Sequence, residues 1–318
     1  MTLLTTNADT ALKRLKKRSH PTRIRDTKAD LWILFWIYIG LAFAGSIILI
    51  PLIYIIAASF SDSSEVVAGH VFLWPVKPTL DAYAAVFNYP GIWRSYLNSA
   101  IYTIATTVLS VLLTILFAYP LSRPSLYGKR FLNLLLLVSF LFTGGIVPLY
   151  IVVRSLGILN TPAAVVLPAA LSVFSVILAR TYFRYSIPNE LIESAQLDGA
   201  GELRILWQIV VPLAKPIIAV LVLLAAVSSW NAYFNALIFL NSPDLFPLQL
   251  ILRQLLVQNQ ISPGTINTLT PEQIAQFQNI ATLLKYALII VASLPLIVVY
   301  PFLQKYFVKG MFIGSLKE

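Results

Sequence analysis

The chain contains no cysteine and only two histidines, and few of its residues are charged. The absence of cysteine excludes disulfides and thiol chemistry, and His20 and His70 are too few and too far apart for a metal site. No G-x-x-x-x-G-K-[ST] motif is present, so the chain carries no phosphate-binding loop of its own. If the protein is driven by ATP, another polypeptide must bind the nucleotide and its magnesium.

Charged residues make up only 11% of the 318 residues, whereas 58% are hydrophobic. Soluble domains carry about 25% charged residues, so this composition predicts an integral membrane protein. A helix needs about 20 apolar residues to cross a bilayer, and six such runs occur. The predicted fold is therefore all-α and polytopic, with six transmembrane helices over residues 31–60, 96–121, 131–153, 163–183, 216–240 and 280–304.

Lysine and arginine are distributed unevenly among the connections between these runs. Eighteen of them lie in the first thirty residues, in the connections after the second and fourth runs, and in the C-terminal tail; five lie in the other connections. Because basic residues favour the cytoplasmic side, both termini are predicted to be cytoplasmic. The net charge of +10 is then a consequence of topology, and we expect the basic tail to face solvent and lipid headgroups, with no nucleic-acid partner.

The runs and charges divide the chain into four parts. We predict a basic cytoplasmic tail, a first transmembrane helix with an extracytoplasmic loop, a five-helix core and a cytoplasmic C-terminal tail. Their bounds are residues 1–30, 31–95, 96–304 and 305–318.

Two outer connections are long enough to carry structure of their own. The outer loop, residues 61–95, is rich in aromatic residues, which indicates a packed cap or an interfacial helix. The connection over residues 241–279 has several turn signals around one short amphipathic helix, predicted over residues 248–257.

A polar insert, residues 187–216, separates the fourth and fifth apolar runs on the predicted cytoplasmic side. A helix is predicted through residues 191–198, where Gly199 and Gly201 stop it, one of them in the left-handed conformation. A second helix is predicted over residues 202–211. Two short helices joined by a glycine turn would form a compact knob that offers carboxylates to a basic partner.

The polar insert resembles the EAA motif of the permease subunits of ABC importers, the binding-protein-dependent transport inner-membrane component family. The motif has a glutamate–alanine–alanine core, and a serine replaces the first alanine here, one small residue for another. The matching residues are Glu193, Ser194, Ala195, Asp198, Gly199, Ala200, Ile209 and Pro212. The resemblance extends over the whole chain, and residues 143–148, 230–235 and 304–310 are similar to the carbohydrate-uptake branch, above all to permeases for oligosaccharides.

This resemblance implies a role for the knob and a set of partners. The knob would be a coupling helix in a cleft of a cytoplasmic ATPase dimer, with Glu193 paired to a basic residue and Gly199 permitting the turn. A homologous second permease, an extracytoplasmic solute-binding protein, a carbohydrate substrate and a prokaryotic cytoplasmic membrane complete the expected assembly. The chain itself is then expected to do no covalent chemistry.

A possible substrate face lies in the fifth apolar run. On a continuous helix, two aromatic residues four positions apart share one face, and two asparagines share the adjacent one. Amides suit sugar hydroxyls, and an aromatic face can stack on a pyranose ring. Alternatively, the asparagines join helices and the aromatics belong to the outer interfacial belt. These residues are Trp230, Asn231, Phe234 and Asn235.

Two other classes of protein remain as alternatives, a stand-alone channel and a membrane enzyme. No acidic residue falls inside any apolar run, and Lys285 near the outer end of the sixth run fits snorkelling, which disfavours proton or sodium coupling. An enzyme would need clustered titratable groups at one membrane face. One cluster exists and lacks histidine and cysteine: Glu190, Glu193, Asp198 and Glu202.

Overall fold

The computed structural model describes residues 27–258 and 284–301. The chain divides into two compact units, residues 1–53 and 54–318. Within the described residues, the regular structure is helical except for one isolated bridge between Ser61 and Pro78. The all-α prediction is therefore confirmed.

The first half of the described chain contains two long helices and several short ones. They are α1 Lys28–Ser59, α2 Ser63–Val67, α3 Asp81–Phe87, α4 Ile92–Ser122, α5 Lys129–Leu141, α6 Ile146–Ser155, α7 Pro162–Ala169 and α8 Val173–Ser186.

In the second half, one π-helical turn and one 3₁₀ turn occur among the α-helices. The elements are α9 Asn189–Leu197, α10 Glu202–Ile205, a π-helical turn Leu206–Val210, α11 Val211–Leu213, α12 Lys215–Asn231, α13 Phe234–Phe239, a 3₁₀ turn Pro243–Leu245, α14 Leu248–Gln258 and α15 Leu284–Pro301. The predicted amphipathic helix over residues 248–257 is confirmed as α14.

Three helices of the described chain, α1, α4 and α15, are long and apolar enough to cross a membrane. Three bent pairs pass the same test: α5 with α6 at 112°, α7 with α8 at 43°, and Glu202–Leu213 with α12 at 83°. If each pair is one span, the total is six. The chain is thus a multi-pass membrane protein, while the number six and the orientation stay predictions. The tails and parts of the sixth run lie outside the described residues.

The run over residues 131–153, predicted as one transmembrane helix, is divided into two helices. The helix ends at Leu141 and resumes at Ile146, because Gly145 has φ +79°, a conformation that costs glycine little and other residues more. The fourth run is divided in the same way, and the side chain of Ser172 caps its second half by accepting a hydrogen bond from the Ser175 amide.

The outer loop is folded, as its aromatic content predicted. Helices α2 and α3 bury Val66 and Val86. The Glu65 carboxylate lies 2.7 Å from Nζ of Lys77 and 2.6 Å from Nδ1 of His70. These contacts, with Lys77 foremost, hold the pKa of Glu65 below its ordinary value.

Helix α4 is the central element, and it packs against both α8 and α12. Small hydroxyl residues recur along one buried face of it, at spacings that bring them onto the same side of a helix: Ser99, Thr106, Ser110 and Thr114. Small side chains allow helices within a membrane to approach closely. This stripe explains how α4 accommodates two neighbours.

Two buried clusters lie at opposite ends of α4. One contains Phe183, Leu206 and Val210, so the second half of the polar insert shares a core with the C-terminal end of α4. The other contains Trp230 and Leu288, which join the end of α12 to α15.

Candidate functional site

The knob predicted in the polar insert is present. Helix α9 ends at Leu197, the chain turns, and α10 begins at Glu202. Gly199 is the left-handed residue, with φ +79°, whereas Gly201 has an ordinary φ of −71°. The amide of Gly199 donates to the Gln196 carbonyl at 3.0 Å, and that of Ala200 donates to the Ala195 carbonyl at 2.9 Å. These bonds satisfy carbonyls at the end of α9 that the helix itself leaves free.

The knob has a buried side and an exposed side. Ile192 and Ala195 are buried against the core shared with α4, and Ala200 packs against the same core. The exposed side, called here the turn surface, consists of Glu193, Ser194, Leu197 and Asp198, and Leu197 is 90% exposed. An exposed leucine between carboxylates and a tight turn fits contact with another protein.

The prediction that the second helix stops at residue 211 is wrong. After α10 the chain continues through the π turn, which contains Ile209, to Leu213. Pro212, which has no amide hydrogen to donate, is the second residue of α11 and follows the π turn directly. The helix therefore passes Pro212 and ends at Leu213, and α12 begins at Lys215 at an angle of 83° to it.

A hydrogen-bonded link joins the polar insert to α4. One carboxylate oxygen of Glu202, Oε2, accepts from the hydroxyl of Tyr119 at 2.6 Å, and Oε1 accepts from Nε2 of Gln196 at 2.9 Å. The guanidinium carbon of Arg123 lies 4.7 Å from the centre of the Tyr119 ring. Sequence reasoning placed Glu202 in an acidic cluster and missed Tyr119, since the two residues are 83 positions apart and share no local pattern.

The predicted continuous face of the fifth run is wrong, because α12 ends at Asn231 and α13 starts at Phe234. Trp230 is only 6% exposed, and its Nε1 donates to the Ala292 carbonyl at 2.9 Å. It also meets Tyr96 edge to face, with ring centres 5.6 Å apart. Trp230 therefore packs between helices, a role that neither interpretation of this face assigned to it, whereas Phe234 is 51% exposed.

The two asparagines line different cavities. Asn231, whose Nδ2 donates to the Val227 carbonyl at 2.9 Å, borders a cavity of about 450 Å³ between α14 and α15. Asn235 borders a cavity of about 330 Å³ enclosed by α4, α7, α8 and α12. Six of the thirteen residues that line the second cavity are small hydroxyl residues: Thr106, Ser110, Ser172, Ser175, Ser228 and Ser229.

The hydroxyl of Thr106 is buried and has no hydrogen-bond partner in the described part of the chain. A buried polar atom without a partner is unusual, and water or a ligand in the adjoining cavity would satisfy it. Sequence reasoning missed this cavity, although the spacing of serine and threonine along residues 99–114 was a visible signal.

Comparison with known proteins agrees with this architecture. Residues 22–313 match the family described as binding-protein-dependent transport system inner membrane component. Protein LplC of Bacillus subtilis (strain 168) is 40% identical over 277 residues, which cover 86% of this chain and 90% of LplC. The polygalacturonan/rhamnogalacturonan transport system permease protein YtcP of the same organism is 39% identical over 281 residues, covering 88% of this chain and 96% of YtcP.

Solved structures give the same result. A bacterial ABC transporter involved in the import of the acidic polysaccharide alginate matches with a TM-score of 0.78 and 32% identity, over 88% of this chain and 98% of that chain. A bacterial alginate ABC transporter in complex with an alginate pentasaccharide-bound periplasmic protein shares the fold, with a TM-score of 0.50 and 17% identity over 89% and 96% of the two chains. The chain therefore belongs to the binding-protein-dependent transport system inner membrane component family, the permease subunits of ABC importers.

Proposed function

We propose that this chain forms half of the translocation pathway of an ATP-driven importer of oligosaccharides in a prokaryotic cytoplasmic membrane. A homologous permease supplies the other half, and an extracytoplasmic solute-binding protein delivers the sugar. ATP and magnesium are bound by a cytoplasmic ATPase dimer. The family supports the importer role, and the names of YtcP and of the alginate transporter support a carbohydrate chain as the substrate.

The observation that carries the proposal is the turn surface around Gly199. Its exposed Glu193 and Asp198 offer carboxylates to a basic cleft of the ATPase, and Leu197 offers an apolar contact beside them. Ser194 is small enough for the cleft to close on the helix backbone, while Ala195 packs against the core shared with α4.

Movement of the turn surface has a structural route into the membrane. Glu202 is hydrogen-bonded to Tyr119 on α4, and Ile209 packs against the core that the π turn shares with α4. The helix then continues past Pro212 to α12 through the 83° bend. When ATP closes the two ATPases, the knob moves with them and shifts the population from an inward-facing to an outward-facing bundle.

The cavity beside Asn235 is the proposed passage for the sugar. Its hydroxyl and amide groups can both donate and accept hydrogen bonds, as a sugar requires, and Thr106 supplies a buried hydroxyl that lacks a protein partner among the described residues. Phe234 borders neither of the two cavities, and Trp230 serves packing.

Uptake by the reconstituted assembly tests this function. The chain, its sibling permease, the ATPase and the binding protein are placed in proteoliposomes, and accumulation of labelled oligosaccharide is followed with and without ATP. Asn235→Ala is expected to lower uptake, whereas Phe234→Ala serves as the matched control and keeps it. Conduction that ignores ATP would favour the channel alternative, and uphill transport by this chain without an ATPase would contradict the proposal.

A further inference from the structure

The cavity of about 450 Å³ beside Asn231 holds two cationic side chains, Arg253 on α14 and Lys285 at the start of α15. Only five basic residues of the whole chain lie on the predicted outer side, and two of them line this single cavity. Among the residues that the structure describes, no aspartate or glutamate lines it. The cavity is therefore positively charged in a protein that is otherwise poor in charge.

Neither cation is neutralised within residues 27–258 and 284–301. Two other outer basic residues do have carboxylate partners: Lys77 lies 2.7 Å from Glu65, and Arg94 lies 3.6 Å from Asp244. No such pair within 4.0 Å involves the two cavity cations in this part of the chain.

Aromatic rings hold the two cations instead. The guanidinium carbon of Arg253 lies 5.7 Å from the centre of the Tyr233 ring, and Nζ of Lys285 lies 5.2 Å from that of Tyr286. Cation–π contacts orient the charges without cancelling them.

The rest of the lining is that of a groove for an extended polar molecule. The α15 residues that border it recur at helical spacing from Lys285 to Leu296, a length of roughly 16 Å at about 1.5 Å per residue. Neutral hydrogen-bonding side chains face the same space: Asn231 on α12, Tyr233 just before α13 and Gln249 on α14.

We propose that this groove binds an acidic oligosaccharide, a chain of uronate sugars, through its carboxylates during import. Arginine forms a two-pronged hydrogen-bonded pair with a carboxylate, and lysine adds a second positive charge. The amides of Asn231 and Gln249 and the hydroxyl of Tyr233 suit the sugar hydroxyls between successive carboxylates. A neutral sugar would leave both cations unpaired, so the groove selects for charge. The inference rests on the proposed importer function and names its substrate class.

A phospholipid headgroup is the competing occupant, because its phosphate also seeks cations. A phosphate would pair with Arg253 and Lys285. It would not account for the amides of Asn231 and Gln249 and the hydroxyl of Tyr233 around them. The neutral groups therefore favour the saccharide, and a dependence on anionic lipid would identify the headgroup instead.

The test compares two substrates in the fully assembled importer in proteoliposomes. ATP-driven uptake of trigalacturonate is measured as a function of concentration beside uptake of its carboxyl-reduced, neutral counterpart. We expect Arg253→Gln and Lys285→Gln each to raise the half-saturating concentration of trigalacturonate by about tenfold, since a hydrogen bond to a charged group is lost. Uptake of the neutral sugar is expected to be weak in the unaltered protein and unchanged in the variants.

Arg154→Gln is the matched control, because Arg154 is an exposed basic residue on the predicted outer side that lines neither cavity. The charge-conserving Lys285→Arg should retain trigalacturonate uptake, which separates loss of charge from faulty assembly. Equal uptake of both sugars by the unaltered protein would overturn the inference and leave the importer function standing. Failure to transport any oligosaccharide would count against the importer function itself. Variants that respond only to the fraction of anionic lipid would assign the groove to headgroups and overturn the inference.

Discussion

Replacement of Gly199 by valine isolates the mechanical role of the turn surface. Gly199 has φ +79°, and a Cβ atom placed on it would meet no atom within 4 Å. The penalty for a side chain is therefore conformational rather than steric crowding by neighbours. Gly201, two residues further on, also has open space around a Cβ atom, but its φ of −71° and ψ of 158° suit any residue. The same substitution at Gly201 is thus a closely matched control.

The magnitude follows from the backbone. A residue with a side chain pays about 1–2 kcal/mol in the left-handed region, and a β-branched residue lies near the upper end of that range or beyond it. Since 1.4 kcal/mol is a factor of ten, the turn geometry of Gly199→Val is disfavoured by about tenfold or more. Asparagine tolerates this region, so Gly199→Asn should fall between the glycine and valine forms.

The assay is the initial rate of ATP-driven uptake in proteoliposomes, normalised to the amount of co-purified ATPase. Because transport requires the native turn, Gly199→Val is expected to insert normally and to lower transport by up to about tenfold, while Gly201→Val stays near the original rate. Full transport by an assembled Gly199→Val complex would refute the reasoning. Equal losses at both glycines would refute it too, because backbone strain would then not be the cause.

Three further predictions concern single contacts. Tyr119→Phe removes the hydroxyl that donates to Glu202, so ATP hydrolysis should continue while uptake per ATP falls; an unchanged ratio of uptake to hydrolysis would argue against this link. Trp230→Phe deletes a buried hydrogen bond and should lower the free energy of unfolding by about 1 kcal/mol, measured by denaturant titration in detergent, with transport retained if Trp230 only packs. Because the pKa of Glu65 is lowered by Lys77, their contact stabilises the outer loop at neutral pH, and this stabilisation is lost as the pH falls through the lowered pKa. Protection factors of the loop amides against hydrogen exchange, which correct for the intrinsic effect of pH, should fall in acid, and Glu65→Gln should remove that dependence.

Local sequence signals predicted several elements correctly. Helix α4 follows from a long apolar run with no glycine, and α14 follows from apolar residues at helical spacing. The turn at Gly199 follows from two glycines after a helical stretch, since few other residues adopt the left-handed region at low cost. In each of these elements a short stretch of chain determines the local structure.

The breaks inside the apolar runs were not predictable in the same way. The runs that contain Gly145 and Ala232 are apolar enough for either a straight or a bent span. Hydrophobicity predicts that a segment lies in the membrane, but it does not predict the direction of the helix axis. The Trp230 hydrogen bond to Ala292 and the Tyr119–Glu202 link join distant parts of the chain and leave no periodic trace. Tertiary packing therefore determines where the helix of the fifth run breaks.

The 112° elbow between α5 and α6 has a consequence for how the protein sits among its neighbours. Residues 142–145 interrupt the helical hydrogen bonding there, and they are exposed on the isolated chain. Hydrocarbon offers nothing to an unpaired peptide group, and each one left there costs several kcal/mol. Lipid tails cannot therefore be the permanent surroundings of this elbow, which needs either a companion subunit or a water-filled space beside it in the membrane.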